Sequence, residues 1–154
     1  MKILKTGALC VLLHALALSS NAQNNLPLSE PDYNKPKLFD DLPSKFPLDV
    51  KLLELLLDLP IGQSLAIPLT KGLRYQGVVV SKSDASDPNL KSIVIKSTNR
   101  GGAIFNFTRL RNEDGSNTYM GRILSHKHGD AFEIEFEDGQ YILNKKQLYD
   151  LFNE

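Results

Sequence analysis

Between positions 64 and 143, apolar residues return at every second position in short runs, each closed by turn-forming residues, and that rhythm suits an antiparallel sheet far better than any helical fold. Leu65, Ile67 and Leu69 alternate with Ser64, Ala66 and Pro68, the proline implying a sheet edge or a bulge. Further strands are expected at 73–81 (Tyr75, Val78, Val79, Val80), 92–98 (Ile93, Ile95) and 103–110, where Phe105 and Phe107 share a face. Three more follow at 118–125, 131–136 and 140–143. The segments between them carry turn chemistry: Asp87-Pro88-Asn89, Asn99-Arg100-Gly101-Gly102 and Asn112 to Gly115. Asp138-Gly139 is the strongest hairpin signal in the chain.

Helical spacing occurs on either side of this region. Leu48, Leu52, Leu55, Leu56 and Leu59 fall on one stripe, with Pro47 suited to a first turn and Pro60 and Gly62 to a stop, so a helix is expected over 47–59. Leu148, Leu151 and Phe152 suggest a short C-terminal helix. The expected fold is mainly β (α+β): an antiparallel meander curling to a small barrel or sandwich, with one N-terminal helix and a short C-terminal one.

The start of the chain reads as an export signal. Lys2 and Lys5 precede an apolar run over 7–18 that is too short to span a bilayer, and Ser20-Asn21-Ala22 suits cleavage after Ala22. Cys10 lies inside the apolar run behind bulky Leu9, which argues against lipidation. The expected organisation is a signal peptide at 1–22, a proline-rich extended arm at 23–44 and a single β-rich domain at 45–154. The arm holds Pro27, Pro31, Pro36 and Pro43, and its end is placed to dock through Leu38, Phe39 and Leu42. The exported product is expected to be a periplasmic or extracellular monomer with no integral membrane segment.

Cleavage at Ala22 changes the chemistry available. The whole chain has 18 basic and 18 acidic residues; losing Lys2 and Lys5 leaves 16 against 18, a net charge of −2, and removes the one cysteine. Thiol catalysis, disulfides and cysteine-ligated metals are then excluded, and stability rests on a buried core. Bulk nucleic-acid binding has no charge to support it.

Charge is unevenly spread. Positions 71–111 hold eight bases against Asp84 and Asp87, a net of +6, whereas 113–138 hold seven acids and two bases, a net of −5. On opposite faces these segments would steer an anionic partner such as an acidic glycan or protein surface; across one sheet they would pair and cancel. An exposed patch including Arg74, Tyr75, Arg100 and Arg109 is the binding surface to look for. His126 and His128 alternate, so on a strand both imidazoles would share a face with Asp130 nearby, a weak metal pattern lacking the usual third ligand. No metalloprotease, serine-hydrolase or phosphate-loop motif occurs, and no cofactor is expected.

The stretches Gly77 to Ser83, Ile95 to Ala103, Tyr119 to Ile123 and His128 to Ala131 resemble those of small secreted proteins of Bacteroidetes-type bacteria. The resemblance implies export and a bacterial source; it carries no activity, cofactor or site residue. The reading that follows is an exported, non-enzymatic binding module of the envelope or secretome. Its alternatives are a prosegment-like or inhibitor-like regulator of a secreted protease, inserting the arm over 38–47 into a cleft, and a metal-dependent enzyme centred on His126 and His128.

Overall fold

The computed structural model describes residues 32, 34–70, 72–83 and 86–152. The signal segment, the cleavage position, Cys10, the first part of the arm and Lys71 lie outside them. The described residues from Asp32 onward form one compact unit.

Its described residues build a single antiparallel sheet of eight strands: β1 (Lys45–Pro47), β2 (Ser64–Thr70), β3 (Leu73–Lys82), β4 (Leu90–Ser97), β5 (Ile104–Arg111), β6 (Asn117–Leu124), β7 (Asp130–Glu137) and β8 (Gln140–Gln147). The spatial order is β1-β8-β7-β6-β5-β4-β3-β2, so β2 to β8 form a meander and β1 joins its far edge. The sheet curls into a half-barrel around one concave face. Register shifts at Pro68/Thr70 and Val79/Ser81 are bulges of the kind that increase local twist. This is one sheet, not a two-sheet sandwich, and the edge strands β1 and β2 do not pair to close it.

Alternation explains which residues fill the concavity. Tyr75 and Val79, Ile93 and Ile95, Phe105 and Phe107, Ile123, Phe132 and Leu143 are all almost fully buried, one or two from each of β3 to β8. Each such side chain contributes about 1.5–3 kcal/mol. An aromatic series links the strands: Tyr75 to Phe105 at 5.7 Å, Phe107 stacked on Tyr119 at 5.9 Å, and Tyr119 edge-on to Tyr141 at 5.2 Å.

The expected helix over 47–59 is shorter and rotated. Pro47 belongs to β1, opposite Ile142, so the helix cannot begin there. Asp49 caps it instead, its carboxylate accepting from the Lys51 and Leu52 N–H groups; α1 then runs Val50–Glu54, and Leu55–Asp58 tighten into a 3₁₀ turn. This connection carries the chain from one edge strand to the other, and it packs Leu53, Leu56 and Leu57 into the core. Leu55, on the expected stripe, is 67% exposed. The C-terminal helix is likewise replaced: β8 continues to Gln147, and Asp150–Phe152 form one 3₁₀ turn. Leu148 and Leu151 pack with Ala131 and Leu124 in a small second cluster.

Leu42 and Phe39 are buried, and Leu38 packs against the same core. Phe39 meets Phe132 at 4.9 Å, with the Arg100 guanidinium 5.9 Å above its ring. Among the described residues no helix is long and apolar enough to cross a membrane.

Candidate functional site

The histidine pair is not on a strand. His126 and His128 lie in the turn between β6 and β7, which removes the alternation that would have set both rings on one face. His128 Nδ1 sits 3.0 Å from Ser125 Oγ, and the His126 carbonyl accepts from Lys35 Nζ. Asp130 is 1% exposed, and both carboxylate oxygens accept backbone N–H groups, from Leu38 at 2.6 Å and Phe39 at 2.9 Å. Among the described residues no three His, Cys, Asp or Glu side chains group to hold a metal ion.

The four residues expected to share a binding patch are scattered. Tyr75 is fully buried on the concave face, its hydroxyl donating to the Ile95 and Ala103 carbonyls, and burial raises its phenol far above the ordinary value. Arg100 makes a bidentate pair with Asp41 and a further bond to the Leu38 carbonyl. That guanidinium holds the Asp41 carboxyl below its usual range. Arg109 lies 4.0 Å from Glu54, whose carboxylate also accepts the Tyr119 hydroxyl at 2.6 Å. Arg74 alone is exposed.

The charge segments resolve in neither of the two expected ways. Bases of the 71–111 segment pair with acids from the chain before β2: Arg100 with Asp41, Lys91 with Asp58, and Arg109 with Glu54. The glutamates of β7 pair with bases on β6, β8 and β1: Glu133 with Arg122, Glu135 with Lys146, and Glu137 with Lys45. Arg74 and Lys96 have no ion-pair partner among the described residues.

Both of those cations stand near the free edge of the sheet. Val79 donates to the Gln63 carbonyl at 3.0 Å, which sets Leu65 and Ile67 in hydrogen-bonded register with Gly77 and Tyr75 on β3. Ser64, Ala66 and Pro68 therefore turn their backbone groups away from β3, where no described strand receives them. Proline has no N–H to leave unpaired, and Gln63 Nε2 covers the Ser64 carbonyl at 2.9 Å, so the edge is partly guarded. The N–H of Ser64, both groups of Ala66 and the carbonyl of Pro68 remain without a partner among the described residues. Ser64, Leu65, Ala66, Gln76, Gly77 and Thr98 line a shallow, open depression alongside.

Neighbouring residues keep this edge in shape. Asn99 lies past the end of β4 and bonds β3 with its side chain, donating to the Arg74 carbonyl at 2.7 Å and accepting from the Gln76 N–H at 3.0 Å. Gly77 cannot carry a side chain, because a Cβ there would lie 2.5 Å from the Lys96 carbonyl. By register Arg74 faces Pro68 and Lys96 faces Val78, and strand alternation sets both on the convex side, with Gln76 between them along the strands. Sequence reasoning singled out Arg74 and the edge character of Pro68, but missed Lys96, Asn99 and Ala66. The turn chemistry at Asn99 was visible; that its amide would replace a missing strand was not.

Comparison of the chain with protein-family models, with curated proteins and with solved structures finds no match.

Proposed function

We propose that this chain is an exported, non-enzymatic interaction module that recognises an extended segment of a partner by adding it as a strand to β2. The observation that carries the reading is the outward N–H and C=O of Ala66 on an exposed edge whose side chains, Ser64 and Ala66, are too small to hold another strand away. Main-chain pairing supplies affinity in such a mode, and the side chains beside the edge supply selectivity. Export rests on the signal-like first 22 residues.

The alternatives have less support. An inhibitor that inserted 38–47 into a protease cleft would have to withdraw Phe39, Leu42 and Phe46 from its own core, at about 1.5–3 kcal/mol each. A metal enzyme would need a further ligand beside His126 and His128.

A photo-crosslinking residue at Ala66 tests the proposal in the source cells. The expected result is a discrete crosslinked partner in the envelope or secreted fraction, absent when the crosslinker replaces Glu133 on the far side of the sheet. Identical products from both positions, or none from Ala66, would overturn it.

A further inference from the structure

We infer that the segment β2 accepts is acidic, a proposal that rests on the strand-addition reading and adds the chemistry of the partner. Three bases of the 71–111 segment already have carboxylates: Lys91, Arg100 and Arg109. The glutamates of β7 are likewise taken up by Arg122, Lys146 and Lys45. Arg74, Lys82, Lys96 and Arg111 form no ion pair among the described residues, and of these Arg74 and Lys96 stand on the convex side by the open edge.

Strand geometry says how each would act. A strand added outside β2 would lie two strand spacings from β3, about 10 Å. Arg74 stands in the row of Pro68, so a glutamate of the added strand in that row and the arginine can close this gap between them. Lys96 lies one strand further in and contributes through its field, which salt screens. A lysine in the same row of the ligand would meet the uncompensated Arg74 and be rejected.

The test uses fluorescence anisotropy of the purified protein with labelled peptides as long as β2, 7 residues, alternating valine with glutamate, threonine or lysine. The glutamate peptide is expected to bind about tenfold tighter than the threonine peptide, with the lysine peptide weakest, and the ranking is expected to flatten in high salt. Arg74→Gln with Lys96→Gln should bring the three peptides to similar affinities. Ala66→Pro, which removes an outward N–H and no bond to β3, should abolish binding of all three. Ser64→Pro takes its place if Ala66→Pro lowers the melting temperature. Equal affinity for the glutamate and lysine peptides, or a ranking that survives the double glutamine variant, would overturn the acidic partner while leaving strand addition standing. Binding that survives both proline variants, or no binding of any peptide, would overturn strand addition and this inference with it.

Discussion

The Asp130 carboxylate holds the backbone of Phe39, Oδ2 accepting its N–H at 2.9 Å while Oδ1 accepts the N–H of Leu38 at 2.6 Å. Lys145 Nζ donates to the carbonyls of Phe39 and Leu42, and Arg100 donates to that of Leu38. The segment has no strand beside it, so side chains satisfy its backbone where a sheet partner would otherwise do so. Asp130→Ala leaves two N–H groups unpaired and is expected to cost about 3 kcal/mol, with Asp130→Asn intermediate because one acceptor oxygen survives. Urea unfolding measures both; a loss below about 1 kcal/mol for the alanine variant would show that the carboxylate does not hold the segment.

Glu54 ties α1 to the sheet through Tyr119 and lies beside Arg109, whose Nε is buried without an acceptor among the described residues. Glu54→Ala removes the tyrosine's acceptor and the arginine's counter-charge, an expected loss of about 1–3 kcal/mol. Arg109→Met replaces the unpartnered polar atom with apolar volume and should leave stability unchanged or raise it. Thermal melts of both single variants and the double variant check this, since the double should recover part of the Glu54→Ala loss.

Where β6 and β7 part, pairing covers only Arg122 to Leu124, and the backbone of Gly121 is crowded instead by its neighbours. A Cβ there would fall 2.4 Å from the Asn106 carbonyl oxygen and 3.0 Å from Ile134 Cδ1. Gly121→Ala must therefore move a strand, and we expect it to lose about 1–3 kcal/mol. A melting temperature equal to that of the parent would contradict this packing.

Acid should weaken the fold in a definite direction. Bonds from Arg100 lower the Asp41 carboxyl, Lys91 lowers Asp58, and Lys146 lowers Glu135. A carboxyl lower in the folded state stabilises fully above its unfolded value, 3.8 for aspartate and 4.5 for glutamate, and that contribution disappears as pH falls through the lowered folded value. All three pairs are solvent-exposed in part, so each effect is small and salt-sensitive. Denaturant midpoints should hold steady down to about pH 5 and drop below it, and Asp41→Asn should make the drop shallower.

Tyr75 makes the opposite edge of the pH range informative. Burial raises its phenol above the ordinary 10.0, so alkaline absorbance titration should show Tyr75 ionising only as the protein unfolds. Tyr75→Phe should remove that late component and cost about 1 kcal/mol for its lost hydrogen bonds. A phenol that titrates reversibly with the exposed tyrosines would contradict its burial.

All of the expected strands beyond position 63 are present, because a half-buried strand writes its faces into alternate residues: Phe105 and Phe107 inward, Asn106 outward. The one strand missed, β1, has three residues, too few to show a period, and its Pro47 reads equally well as the first turn of a helix. The leucines at 52–59 are apolar nearly all round, so their spacing did not decide that Leu53, Leu56 and Leu57 would face inward and Leu55 outward; the crossing from one edge strand to the other did.

The site follows the same division. That Pro68 marks an edge is a local fact, since a missing N–H matters to any strand. Which charges stay uncompensated is not local: Arg100 and Arg74 are indistinguishable in sequence, and only the return of Asp41 to the sheet neutralises one and leaves the other. Likewise Tyr75 looks like a surface aromatic until curling turns its face inward. The sequence by itself determined the strand pattern and the turns, because side-chain alternation and backbone torsion act over a few residues. The tertiary structure alone decided which polar groups meet and which edge stays open, because those depend on pairings between residues as far apart as Phe39 and Asp130, separated by 91 positions.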